Sequence, residues 1–142
     1  MGIAKLYRPG GGFDEYAYRT IGRIEGGGLS GKIVEPWVQT KNTPSMPLHS
    51  GLSLIYFAVG SDSHSIIQMR VYEGRRAAYD FDWGHGHGKF AEGTVHVHEW
   101  TYRDGSWGRV GRKRYMNNAE IARYGPILRQ ANPDVKFRPP HR

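Results

Sequence analysis

A period-two alternation between residues 79 and 100 most constrains how this 142-residue chain can fold. Aromatic residues alternate with aspartates over 79–83, and valines alternate with histidines over 95–98. Because successive side chains of a strand point to opposite faces, each segment is typical of an extended arm with one apolar and one polar face. We therefore expect a hairpin whose apolar faces share a core. Its polar residues would gather on the opposite, accessible face, and they are Asp80, Asp82, His96 and His98.

Turn-forming residues divide the rest of the chain into short segments. The sequence contains 20 glycines and 8 prolines, and apolar or alternating stretches lie between them, notably at 52–59 and 65–72. Such spacing is typical of strands joined by turns. It predicts a β-dominant α+β fold, an antiparallel meander of about five strands with a short C-terminal helical segment packed on it.

The C-terminal part carries helix signals. Asn117 or Asn118 can cap a helix with Glu120 in its first turn. Gly125-Pro126 is expected to break or kink this helix, and Asn132-Pro133 to end it.

The length predicts a single domain over 1–142, with a flexible lead-in at 1–12 and a basic tail at 138–142. The absence of cysteine excludes disulfides, zinc–thiolate sites and cysteine nucleophiles. No apolar run approaches the length of a membrane span, and the first residues lack the layout of a secretory signal. We therefore expect no membrane partner and a cytoplasmic site of action.

The net charge of +7 and the pI near 9.8 favour a polyanionic partner, RNA more than DNA. A cluster of cations over 109–114 is the densest in the chain, and a solvated loop is the alternative interpretation of it. The residues expected to bind substrate phosphates are Lys89, Arg103, Arg109, Arg112, Lys113 and Arg114.

The preferred chemistry is histidine acid/base catalysis of RNA cleavage without a cofactor. One imidazole of the His96/His98 pair would remove a proton from a ribose 2′-hydroxyl while the other protonates the leaving 5′-oxygen. Four residues are expected to support this pair: Asp80, Asp82, His85 and His87. The last two lie in a glycine-rich connection that can approach a ligand closely and close over a substrate.

A metal-dependent scheme is the alternative. Asp82 (or Asp80) with His96 and His98 would bind a divalent ion such as zinc, which activates water for hydrolysis. Both schemes use the same face of the predicted hairpin.

The C-terminal segment from Asn118 to Ile127, followed by Asn132-Pro133 and Phe137-Arg138, resembles the closing part of small toxin domains in bacterial polymorphic toxin systems. The His-Gly connection and the His-x-His strand are similar in style to compact nuclease toxins. This resemblance covers about the last third of the chain. It implies a nuclease secreted or delivered as part of a longer chain and neutralised by an acidic immunity protein.

Two other functions remain open. One is a non-catalytic module that binds nucleic acid or protein through its basic surface. The other is a small His/Asp metalloenzyme of cupin-like type, although no histidine follows His98 before His141 to supply the later ligand of that pattern.

Overall fold

The structure is a computed structural model that describes residues 2–7, 13–37, 45–48, 54–60, 65–84, 91–103 and 106–139. Eight strands form one sheet in the order of the chain, and a helix follows them. The strands are β1 (Gly2–Tyr7), β2 (Phe13–Gly26), β3 (Leu29–Pro36), β4 (Ile55–Val59), β5 (Ile66–Glu73), β6 (Arg76–Asp82), β7 (His96–Arg103) and β8 (Ser106–Tyr115), and the helix is α1 (Asn118–Ala131).

Neighbouring strands of the described sheet pair antiparallel, except β3 and β4, which pair parallel. The predicted β-dominant α+β class, with a C-terminal helix packed on a mostly antiparallel sheet, is confirmed. The described residues form eight strands where about five were expected. One reason is the basic segment after residue 105, which forms β8 and not a solvated loop.

Both expected chain ends carry more structure than the sequence indicates. Gly2–Tyr7 pair with β2, so the prediction of a flexible lead-in is wrong for these residues, while 8–12 lie outside the described part. At the other end, Arg138 donates a hydrogen bond to the carbonyl oxygen of Met116 at 2.9 Å and another to Asn118 Oδ1. Arg138 is therefore anchored beside the start of α1, and residues 140–142 of the predicted tail lie outside the described part.

One face of the sheet packs against α1 and the segment after it. The alternating apolar residues of β4 to β7 supply this core, together with Ile127 and Leu128 of the helix. Phe81 contacts the ring of Tyr124 at a centroid distance of 5.2 Å. The aromatic and valine positions of the predicted hairpin therefore do share a core, as expected from their period of two.

The opposite face of the sheet is also covered. Met46 is fully buried in a cluster with Tyr18, Val34 and Ala58, and Leu48 packs against Tyr72 and Ala77 nearby. Residues 45–48 therefore lie across the side of the sheet that faces away from α1. The central strands are enclosed from both sides.

The helix begins as its sequence predicts. Asn117 is the N-cap, its side chain accepts a hydrogen bond from the Glu120 amide, and the Glu120 side chain accepts one from the Asn117 amide. These two reciprocal hydrogen bonds provide acceptors for two backbone amides that otherwise have no partner at the start of a helix. The predicted break at Gly125-Pro126 is wrong, because α1 continues through Pro126 to Ala131. A proline removes one helical hydrogen bond, and the packing of Ile127 and Leu128 in the core keeps the turn in place.

Among the described residues, no helix combines the length and the apolar character needed to cross a membrane.

Candidate metal site

Strands β6 and β7 bring the four predicted polar residues together as two cross-strand pairs. Asp80 lies opposite His98, and Asp82 lies opposite His96. Because paired residues of an antiparallel ladder share a face, all four side chains start from the same side of the sheet. The prediction that the four residues share one face is confirmed.

Three of these side chains converge closely. Asp82, His96 and His98 each offer one ligand atom, and these atoms all lie within 4.8 Å of one another. Asp82 Oδ2 lies 3.2 Å from His98 Nε2, diagonally across the two strands. The two imidazole rings meet edge to face with their centroids 5.5 Å apart. One carboxylate and two imidazoles at such spacing are a ligand set that zinc and other first-row divalent ions accept.

The cluster is enclosed, and the expectation of an accessible face is wrong for it. The exposed fraction is 0% for His96, 6% for His98 and 7% for Asp82. The apolar side of β6 and β7 is covered by α1, and residues 45–48 lie across the other side of the sheet. The three ligand atoms therefore sit in the protein interior, where unpaired charge is costly and a bound cation would be poorly screened.

Asp80 has a different role from Asp82. Arg70 on β5 donates two hydrogen bonds to the Asp80 carboxylate, from Nε at 2.6 Å and from Nη2 at 3.0 Å, and Trp100 Nε1 donates a third at 2.8 Å. Both carboxylate oxygens are thereby engaged. Asp80 is therefore fixed beside the cluster as a structural anion, and the cluster itself consists of the other three residues.

Arg70 is a functional-site neighbour that the sequence analysis missed. It pairs in register with Asp80, and its Nη1 donates to the carbonyl oxygens of Met46 and Pro47 at 3.0 and 3.3 Å. Burial lowers the pKa of Arg70, but the charge and hydrogen bonds of Asp80 outweigh that effect, and the pKa is raised above its ordinary value. Arg70 therefore stays charged and ties residues 45–48 to the strands that carry the cluster. Its place between the core residues Met69 and Val71 of β5 predicts only that Arg70 lies on the other face of the sheet.

Tyr72 extends this polar interior. Its hydroxyl donates a hydrogen bond to the Pro47 carbonyl oxygen, and its ring meets Tyr56 edge to face at 5.2 Å. Burial raises the pKa of Tyr72 well above its ordinary value. The hydroxyl is therefore neutral, and the hydrogen bond that it donates to Pro47 attaches residues 45–48 to the sheet.

The pairing of β8 with β7 is irregular beside His98. Val97 pairs with Arg114 and Glu99 pairs with Val110, so residues 111–113 bulge opposite His98. A bulge bends a strand and redirects its side chains, and such irregularities are frequent beside active sites. Here it carries two of the predicted phosphate-binding cations, of which Arg112 is exposed and Lys113 is partly exposed.

The other predicted cations are distributed differently. Arg114 forms two hydrogen bonds with the Glu120 carboxylate, at 2.6 and 3.0 Å, and lies 3.5 Å from Glu99, which gives it a structural role between β8 and α1. Arg103 is exposed at the end of β7. The backbone of Arg109 pairs with Trp100, and its side chain is outside the described part, as are His85, His87 and Lys89 altogether.

Gly84 marks where the described chain leaves the cluster toward the His-Gly connection. A Cβ atom at this position would lie 2.4 Å from Ile67 Cβ and 2.6 Å from Ile67 Cγ2. Only glycine allows β5 and the end of β6 to approach this closely. Close packing against Ile67 therefore explains why position 84, the first of the His-Gly series, is a glycine.

Comparisons of the chain with family models, with curated proteins and with solved structures found no match.

Proposed function

We propose that this protein is a nuclease dependent on a divalent metal ion, with Asp82, His96 and His98 as the ligands of the ion. The observation that carries this proposal is the convergence of one carboxylate oxygen and two imidazole nitrogens within 4.8 Å across β6 and β7. Three protein ligands leave coordination positions for water and for a substrate oxygen, which is the arrangement of catalytic metal sites.

The burial of the cluster favours the metal-dependent scheme over the pair of histidines acting alone. An acid/base pair must reach two oxygens of one phosphodiester, and the His96 ring is fully enclosed. A metal ion needs only that the ligand atoms face one another, and burial of the three side chains does not prevent this. The close approach of Asp82 to His98 supports this ligand role.

Nucleic acid is the substrate class that the charge supports. The chain carries a net charge of +7, and Arg112 and Lys113 lie on the bulge opposite His98. Lysine and arginine side chains that neutralise phosphates supply most of the affinity for nucleic acid. When bound, the ion would lower the pKa of a water molecule and so provide the attacking hydroxide.

A second scheme has its own supporting observation. The Asp82 carboxylate lies 3.2 Å from His98 Nε2, so it can orient that imidazole as a general base for metal-independent RNA cleavage. In this scheme His96 positions the ring of His98 through their edge-to-face contact and takes no proton itself.

Cleavage of total RNA and of single-stranded DNA, before and after treatment with a chelator, tests both schemes. We expect activity to be lost on chelation and to return with one divalent metal, and to be absent from the Asp82→Asn and His98→Ala variants. Glu25→Gln is the matched control, since Glu25 is an exposed carboxylate on β2 that lines neither the cluster nor the cavity beside it.

The other outcomes identify the alternatives. Activity that survives chelation but is absent from His98→Ala supports the metal-independent scheme. Binding that weakens with salt, without cleavage of either polymer, supports a non-catalytic binding module. The resemblance to toxin domains adds an acidic immunity protein as a proposed partner, and its tight binding to the basic protein would be inhibitory.

A further inference from the structure

A cleft opens where β6 and β7 separate. Their paired residues run from Tyr79–Glu99 to Asp82–His96, whereas β6 starts at Arg76 and β7 continues to Arg103. The pairing of β5 with β6 is also shifted next to this point, between Val71 and Tyr72. The cavity between the diverging ends has a volume of about 340 Å³. It is large enough for one nucleobase with its sugar.

The walls of this cleft combine aromatic and charged groups. Trp100 and Tyr102 line it together with Glu73 and Glu99. Arg76 also lines it, and its guanidinium carbon lies 4.1 Å from the centroid of the Tyr102 ring. Flat rings beside paired donors and acceptors are the features with which proteins hold single unstacked bases.

The cleft adjoins the candidate metal site. His98, Trp100 and Tyr102 are successive same-face positions of β7, spaced roughly 6.5–7 Å apart by strand geometry. Trp100 also donates to Asp80, which pairs with His98. A nucleotide whose base occupies the cleft would therefore have its phosphate near the cluster.

We infer that this cleft binds guanine, as the unpaired base next to the phosphodiester that is cleaved; the inference rests on the proposed nuclease function. Guanine offers N1–H and the N2 amino group as donors, which suit the carboxylates of Glu73 and Glu99. Its O6 and N7 atoms are acceptors, which suit the Arg76 guanidinium. Adenine has an acceptor at N1 in place of a donor, and this acceptor would face a carboxylate.

Binding of 5′-GMP and 5′-AMP by titration calorimetry tests the inference without requiring cleavage. Both nucleotides carry the same phosphate, so their difference isolates the base. We expect 5′-GMP to bind at least about tenfold more tightly than 5′-AMP, an effect of roughly 1.4 kcal/mol. The His98→Ala variant should retain this preference, since His98 does not line the cleft.

The Glu73→Gln/Glu99→Gln double variant should lose the preference while keeping the affinity for 5′-AMP within about twofold. Glu25→Gln on β2 is the matched charge control, and circular dichroism confirms that each variant is folded. Equal affinity for the two nucleotides, binding of neither, or a guanine preference that survives in the double variant would each overturn the inference.

Mapping of cleavage sites separates the two proposals. Cleavage of single-stranded RNA without enrichment of guanine beside the cut, together with equal nucleotide affinities, would leave the nuclease proposal standing and refute the guanine site. Selective 5′-GMP binding without any cleavage would support the guanine site and refute the nuclease proposal.

Discussion

Arg70 and Asp80 form a two-point ion pair inside the protein, with side-chain exposures of 7% and 0%. The pair joins β5 to β6, the strand that also carries Asp82. A buried ion pair contributes less than its Coulomb energy, because both charges have left water, but the loss of one partner leaves the other uncompensated. The Arg70–Asp80 pair therefore matters most as a fixed support for the neighbouring cluster.

Removal of the Asp80 carboxylate should destabilise the protein severely. We predict that Asp80→Ala lowers the free energy of unfolding by about 3–5 kcal/mol, because the Arg70 guanidinium remains buried without its anion. Urea unfolding followed by circular dichroism measures this loss. The double variant Arg70→Met/Asp80→Leu should be clearly more stable than Asp80→Ala. If the single variant is as stable as the parent protein, the ion pair does not support the fold in this way.

Metal affinity should depend on Asp82 far more than on the other acidic residues nearby. We predict that Asp82→Asn weakens zinc binding by at least about tenfold, since even the loss of a group that only orients a metal ligand commonly costs 10–100-fold in affinity. Competition with a chromophoric chelator measures the dissociation constant. Glu99→Gln, on the opposite side of β7, should leave it unchanged. Equal zinc affinity in the Asp82→Asn variant and the parent protein would remove Asp82 from the ligand set.

Tyr72 should make the protein sensitive to high pH. Burial raises the pKa of Tyr72 in the folded protein above the value near 10.0 of an exposed tyrosine. The neutral hydroxyl therefore contributes stability in full below about pH 10, and this contribution is lost as the pH rises toward the folded pKa.

We predict that the free energy of unfolding falls more steeply between about pH 9 and 11 in the parent protein than in the Tyr72→Phe variant. This pH range is centred on the ordinary tyrosine pKa of about 10. Urea unfolding at a series of pH values measures the two slopes. Tyr124→Phe, on the helix, is the control. Parallel slopes for the parent protein and Tyr72→Phe would contradict the assignment.

The start of α1 should be sensitive to its cap. We predict that Asn117→Ala lowers the free energy of unfolding by about 0.5–2 kcal/mol, because the Glu120 amide loses its side-chain acceptor. Asn117→Ser retains a side-chain acceptor and should lower the free energy of unfolding by no more than a few tenths of a kcal/mol. Thermal unfolding of the two variants measures the difference. Equal losses in both would mean that the capping hydrogen bond contributes little.

The parts of the fold that depend on neighbouring residues could be predicted from the sequence. Period-two alternation was sufficient to place Asp80, Asp82, His96 and His98 on one face, because side chains of a strand alternate whatever surrounds them. It did not predict which of these residues pair across the two strands. The cap at Asn117 followed from Glu120 three residues later. Both are local relations between positions close in sequence or opposite in a hairpin.

Features that depend on distant segments could not be predicted in this way. His96 is fully buried, whereas alternation along β7 predicts only the face on which it lies. The buried position of Arg70 depends on residues 45–48, whose composition is typical of a loop and which supply two of its hydrogen-bond acceptors. In β8, Gly108 and Gly111 interrupt the alternation that would have indicated a strand.

The pairing of β6 with β7 also makes assembly of the cluster an all-or-none event. If β7 slipped by one residue along β6, its histidines would turn into the apolar layer under α1 and its valines toward Arg70. Such a slip would bury two imidazoles among aliphatic side chains and lose the Asp82–His98 contact in a single step. The same hydrophobic pattern thus determines both the packing of the core and the position of the three ligand residues. A chain with the wrong register would lose both together.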